Sequence, residues 1–271
     1  MVSRRTLLAA TSYALAHTAM AQPAVHQVVI EVSDYPLAFA PVRVNGNTVR
    51  ALIDTGSSSA VRLSARLART MKLVLTPVAG RTVQGLDGQR FSVEAGTLDT
   101  LGVGDMLEHK FAIEVTGERV ESIAAQVGTP FDAILGWNFL SRYSFMLDYR
   151  ARALRFSEGP LRPAATPDAI PYAVVNHLPV VSARWGGQDV LLLVDTGAPM
   201  CNIDTGFARV AAGQTLTAAI DMGARRLTLQ WRAKDLSVTR KALGTVGTLG
   251  NNLLGQHATT FDTRNQRLYL D

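Results

Sequence analysis

The chain has 271 residues, 47% hydrophobic and 18% charged, which excludes a disordered protein and leaves room for one large core or two small ones. Its formal charge of +5 is not gathered into a dense Lys/Arg stripe, so composition argues against a nucleic-acid partner. Val, Leu and Thr recur in short runs between turn residues, and the 22 glycines favour strands over long helices.

The first predicted element is an export signal over residues 1–21. Arg4-Arg5 precede a mildly apolar stretch, Thr6–Ala16, and Ala19-Met20-Ala21 offers a small-x-small cleavage site before Gln22. Ser3-Arg4-Arg5-Thr6-Leu7-Leu8 resembles a twin-arginine motif. Thr11, Ser12 and His17 break the apolar stretch and favour that route over an ordinary Sec signal. Cleavage removes two arginines and leaves a net charge of +3, in the periplasm or outside the cell. No later run reaches the roughly eighteen apolar residues of a membrane span, so no membrane contact is expected after signal removal.

The next informative strand is Val49-Arg50-Ala51-Leu52-Ile53, which follows an Asn45-Gly46-Asn47 turn and runs into Asp54-Thr55-Gly56-Ser57. Residues 83–93 read as a hairpin with Asp87-Gly88 at its turn. Residues 134–156 form a further apolar block. Ser157–Ala169, with Pro160, Pro163 and Pro167 and no periodicity, reads as a linker. Then Gly186-Gly187-Gln188 and Val190-Leu191-Leu192-Leu193-Val194 lead into Asp195-Thr196-Gly197-Ala198, a second Asp-Thr-Gly in the same setting as the first. Cys201, the single cysteine, is expected to be a buried small hydrophobe and not a reactive thiol. Residues 248–270 repeat 134–156 without gaps, with identities at Leu135/Leu249, Gly136/Gly250, Asn138/Asn252 and Asp148/Asp262.

Two repeats in the same order predict an internal duplication: residues 22–156 as one lobe, 157–169 as linker and 170–271 as the other lobe. The offset between the halves falls from 141 at the acid tripeptides to 114 at the later block, so the second half is shorter between them. The hairpin over 83–93 is where the sequence locates the loss. A lone Asp-Thr-Gly is weak evidence, since Asp and Gly are ordinary turn residues. Its recurrence after matched strands predicts that the lobes bring Asp54 and Asp195 to one shared site. Gly56 and Gly197 would let the chain turn and approach closely, and the Thr55 and Thr196 hydroxyls could bond across to the opposite loop. Two touching carboxylates share a proton, so one can act as general base on water while the other acts as general acid, with no metal and no other cofactor.

Leu52-Ile53-Asp54-Thr55-Gly56-Ser57 and Leu193-Val194-Asp195-Thr196-Gly197-Ala198 resemble the acid loops of the pepsin-like and retropepsin-like aspartic peptidases. Ala133-Ile134-Leu135-Gly136 looks like the apolar-apolar-Gly segment beneath such a loop, and Thr248-Leu249-Gly250 like a weaker version. The resemblance implies an all-β fold of two homologous lobes with the active cleft between them. It implies an aspartic endopeptidase acting on polypeptide as a monomer, with Asp54 and Asp195 catalytic and Thr55, Gly56, Ser57, Thr196 and Gly197 in support. It also implies that a flap carrying Gly85, Leu86, Asp87 and Gly88 closes over substrate. The chain departs from pepsins in having no Tyr in the flap, and Pro199 follows Ala198 where a small or polar residue is more usual; Ala198 also has no hydroxyl, whereas Ser57 is expected to bond its neighbouring carboxylate. The alternative is a catalytically weak or inactive peptide-binding protein on the same fold. The isolated histidines lack metal-ligand spacing, and Ser57-Ser58-Ser59 is no nucleophile elbow. Trp137, Trp185 and Trp231 read as core residues.

Overall fold

A computed structural model describes residues 24–84, 90–162 and 166–271. The predicted signal and the flap tip, Gly85 to Gly88, lie outside them. The first half runs β1 (Val25–Val29), β2 (Glu31–Val32), β3 (Ala38–Val44), β4 (Asn47–Asp54), β5 (Val61–Leu63) and α1 (Ala65–Thr70). It continues with β6 (Leu75–Gln84), β7 (Arg90–Val103), β8 (Met106–Val115), α2 (Arg119–Gln126), β9 (Ala133–Gly136), α3 (Trp137–Leu140), β10 (Ser144–Asp148) and β11 (Ala153–Ser157). The second half runs β12 (Ile170–Val175), β13 (Leu178–Trp185), β14 (Gln188–Val194), β15 (Cys201–Asp204), α4 (Thr205–Ala208), β16 (Thr215–Met222) and β17 (Arg225–Lys234). It ends with α5 (Ser237–Leu243), β18 (Gly247–Leu249), α6 (Asn251–Leu254), β19 (Ala258–Asp262) and β20 (Arg267–Leu270). Among the described residues no helix is long and apolar enough to cross a membrane.

Each half closes a six-stranded barrel, and the protein is mostly β. The first barrel runs β3-β4-β9-β5-β8-β7 and returns to β3. The second runs β13-β14-β18-β15-β17-β16 and returns to β13, the same order strand for strand. Closure leaves no free edge in either barrel, which suits strands as apolar as these. In β4, Ala51 and Ile53 point into the barrel, while Leu52 on the outer face packs with Phe39, Ile134 and Val120 under α2. All of β9 is buried for the same reason, with one face in the barrel and the other beneath the helix.

The barrels are joined by an antiparallel sheet, β1-β11-β10-β19-β20-β12. At its centre Phe145 of β10 pairs with Phe261 of β19, and their rings stack at 4.6 Å. Trp137 and Tyr172 meet Phe261 edge-on at 5.5 and 6.1 Å. Such aromatic pairs contribute about 0.5–1.5 kcal/mol each beyond their buried area, so the junction between the halves is itself a core.

The shortfall of the second half proves to be split between two places. Arg43 pairs with Gly102 where Arg184 pairs with Asp221, so the offset has already fallen from 141 to 119 by that register. The segment between α1 and the end of β7, which holds the β6–β7 hairpin, therefore accounts for most of the difference. The remainder comes from the stretch between β8 and β9, where α2 and the loop after it are longer than α5 and its loop. The linker predicted from Ser157 begins just after it in space, because Ser157 closes β11 opposite Ser144.

Candidate active site

Strand β4 ends at Asp54, which pairs in parallel with Gly136 of β9. Asp195 directly follows β14, and its amide donates to the Leu249 carbonyl at 3.0 Å. Each loop closes on its own acid: the Gly56 amide donates to Asp54 Oδ1 and the Gly197 amide to Asp195 Oδ1, both at 2.9 Å. The two loops then lock together. The Thr55 hydroxyl donates to the Val194 carbonyl at 2.7 Å and accepts from the Thr196 amide at 3.0 Å. Thr196 reciprocates, donating to the Ile53 carbonyl at 2.9 Å and accepting from the Thr55 amide at 3.0 Å. Both threonines are fully buried, so these four bonds stand in a medium where an unmade one is costly.

The glycines are needed for room and not for torsion. Neither Gly56 nor Gly197 has a left-handed φ, but a Cβ on Gly56 would lie 2.5 Å from the Asp195 carboxyl carbon. A Cβ on Gly197 would lie 2.5 Å from that of Asp54. The same reasoning explains the apolar-apolar-Gly segments. A Cβ on Gly136 would meet the Ser59 carbonyl oxygen at 2.2 Å, and one on Gly250 the Met200 carbonyl oxygen at 2.3 Å. Thr248-Leu249-Gly250, though weaker in sequence, occupies the place that Ile134-Leu135-Gly136 holds in the first barrel.

The two carboxyl groups are half-buried and lie within hydrogen-bonding reach of each other. Burial raises both above the ordinary carboxylate range, Asp195 well above it, since the neighbouring Asp54 charge adds to the desolvation. For Asp54 the rise is opposed by the Gly56 amide, by Arg62, by the bond to Asp195 and by Arg119.

Ser57 differs from expectation: its hydroxyl pairs with that of Ser59 at 2.9 Å and not with the carboxylate. At Ala198-Pro199 the loop keeps its shape through main-chain bonds. The Ala198 carbonyl accepts from the Asn251 amide at 2.8 Å and the Pro199 carbonyl from the Asn252 amide at 3.1 Å. The flap residues Gly85, Leu86, Asp87 and Gly88 fall outside the described residues, although β6 and β7 pair up to Gln84 and Arg90 on either side of them.

Several neighbours carried no local signal. Asn251, nearly fully buried, donates to the Thr196 carbonyl at 2.8 Å and to the Pro36 carbonyl at 2.7 Å, and accepts from the Tyr149 hydroxyl at 2.8 Å. One side chain thus ties the second acid loop to the first lobe and to the turn after β10. Arg62, Arg119 and Lys234 also approach the acids, and nothing in their spacing marks them. Trp137 and Trp231 are core residues as expected, whereas Trp185 is half-buried and lines an open groove of about 570 Å³ that includes neither acid.

Cys201 is fully buried beneath the second loop, with the Gly250 amide pointing at its sulfur at 3.3 Å. Burial pushes its thiol up to about 12, so the thiolate is scarce at neutral pH. Thiol reagents should leave the native protein unlabelled and modify one site once it is unfolded. Rapid native-state labelling would show that the loop opens.

Two matched barrels, each supplying one acid loop to a common carboxyl pair, define a two-lobed protein of aspartic-peptidase type. Residues 40–139, from β3 to α3, match the family model described as aspartyl protease, which supports an aspartic peptidase family of the retropepsin-like clan. A search of curated proteins finds no match.

Proposed function

We propose that the chain is an exported endopeptidase that cuts polypeptide with a water held between Asp54 and Asp195, acting as a monomer because one chain supplies both acids. The observation that carries this reading is the mutual contact of the two carboxyls across the cross-bonded Thr loops.

The touching pair shares one proton, and in this scheme Asp54 is the ionised base and Asp195 the acid that carries the proton. Asp54 takes a proton from water as the water oxygen bonds to the peptide carbonyl carbon, while Asp195 gives its proton to the carbonyl oxygen. The resulting diol collapses as the C–N bond breaks. Asp54 then passes its proton to the leaving nitrogen, and Asp195 recovers one from a diol hydroxyl, so both acids end as they began. Thr55, Thr196, Gly56 and Gly197 hold the acids in place. Residues 83–93 close over the bound peptide.

Digestion of a peptide library by the mature chain from about pH 3 to pH 8, with Asp54→Asn as control, tests the reading. Internal cleavage that vanishes in the variant is the expected result. Peptide binding without cleavage at any pH would favour the inactive-binder reading instead.

The export proposal rests on Arg4-Arg5 and the interrupted apolar stretch after them. Replacing both arginines with lysine should leave precursor in the cytoplasm if the twin-arginine route is used, because positive charge alone does not satisfy that machinery. Normal export with cleavage after Ala21 would assign the Sec route.

A further inference from the structure

The two barrels match strand for strand, yet the rows of side chains that run from the acid-bearing strands differ between them. In the first barrel the cross-strand register is Phe39, Leu52, Ile134, Arg62, Glu114. Opposed residues share a face, so Arg62 lies on the face that Leu52 presents to α2. Asp54, two positions beyond Leu52, lies on that face as well. The corresponding row in the second barrel is Val180, Leu193, Thr248, Asn202, Arg232. A buried guanidinium in one lobe is thus replaced by a neutral amide in the other.

Arg62 is an expensive residue to keep. Its side chain is only 8% exposed, its Nε has no hydrogen-bond partner among the described residues, and its ion pair to Glu114 is long at 3.5 Å. Glu114 is shared with Arg81, which holds its other oxygen at 2.7 Å. Burial lowers the Arg62 pKa, and the Glu114 and Asp54 charges oppose that fall. Asn202, by contrast, is satisfied by the Met200 carbonyl at 2.9 Å and the Thr248 hydroxyl at 3.1 Å, and carries no charge. A buried cation with an unmet donor and a half-shared partner does little for stability, since an apolar residue there would cost less.

We infer that Arg62 is a positioning residue that breaks the symmetry of the acid pair, holding the negative charge on Asp54 and leaving the proton on Asp195. The inference rests on the peptidase reading and assigns the roles within it. Asp54 faces Asp195 from the opposite loop, Tyr149 from the turn after β10, Arg62 from β5 and Arg119 from α2. Asp195 faces Asp54, Tyr149 and Lys234 at the end of β17, and Lys234 is itself disfavoured as a cation by burial and by Arg232. Among the described residues, the first lobe therefore presents two guanidinium groups to its acid, and the second lobe a weakened ammonium. Glu114 tempers the first of those guanidinium groups.

Three variants of the mature chain test this: Arg62→Met, Arg62→Lys and Glu114→Gln. Two readouts are used, the pH profile of kcat/KM on a cleaved peptide and NMR titration of the Asp54 and Asp195 carboxyls. Arg62→Met should move the acid limb to higher pH, lowering kcat/KM there by about tenfold at fixed pH, the effect of one close charge removed. Arg62→Lys should restore most of it. Glu114→Gln should move the limb the other way, because the Arg62 charge is then less compensated. A folded Arg62→Met with the wild-type acid limb and carboxyl titration would overturn the inference. If Arg62→Met does not fold, Glu114→Gln decides, and a limb unmoved or moved upward overturns it. Should the wild type cleave nothing, the peptidase reading fails, but the carboxyl titrations still decide whether Arg62 biases the pair.

Discussion

Asp195→Asn and Asp54→Asn should each lower peptide cleavage by about three orders of magnitude or more, and the double variant should be little worse than either single one. Base and acid act in one step on the same water and carbonyl, so removing one leaves the other without a task. Independent, multiplicative losses would show that the acids do not form a unit. The same variants carry a stability signature of opposite sign. Asp195 is raised in the folded state, so the folded protein binds that proton more tightly than the unfolded chain does. Its contribution is fully present below the unfolded carboxylate range near pH 4 and is lost as pH rises through the folded value. Asparagine cannot ionise and escapes that loss. Asp195→Asn should therefore unfold at the same or a higher temperature than wild type at pH 7, with the difference shrinking as pH falls toward 4. A variant both inactive and markedly less stable at pH 7 would mean that the aspartate is structural.

Thr55→Val should destabilise the protein by about 2–5 kcal/mol, because two buried groups lose their partner at about 1–3 kcal/mol each. Those groups are the Val194 carbonyl and the Thr196 amide, both on the opposite loop. Thr55→Ser keeps the hydroxyl and should recover most of the loss. Thr196→Val should behave alike through the Ile53 carbonyl and the Thr55 amide. Activity should fall further than stability alone explains, since these bonds fix the spacing of the two carboxyls, and an error of about 1 Å in placement can cost about a hundredfold in rate. Denaturant titration beside kcat/KM at a temperature where the variant remains folded separates the two effects. Full activity in a folded Thr55→Val would show that the acids are held by something else, for which the Asn251 bridge between Thr196, Pro36 and Tyr149 is the first candidate.

The sequence by itself determined the β class, the two acid loops and the glycine segments beneath them. These are local patterns: a buried run ending in Asp-Thr-Gly is written in consecutive residues, and its recurrence needs only a comparison of the chain with itself. The reason for a glycine was less legible than its presence. Gly56 and Gly197 looked like turn residues, but what each avoids is the carboxyl of the other half's acid loop. The division of the length difference between the halves was hidden for a related reason, because offsets change inside loops whose ends are fixed only by strand pairing. Arg62 was invisible as a neighbour of Asp54. Period-2 alternation tells which face a side chain takes within its strand, whereas barrel closure sets which strands share that face and in what register. Closure likewise placed Asn202 opposite Thr248 and Arg62 opposite Ile134, and so decided which acid has a buried cation behind it. Local sequence supplies each acid with its loop, and only the non-local register of two closed barrels gives the pair its asymmetric surroundings.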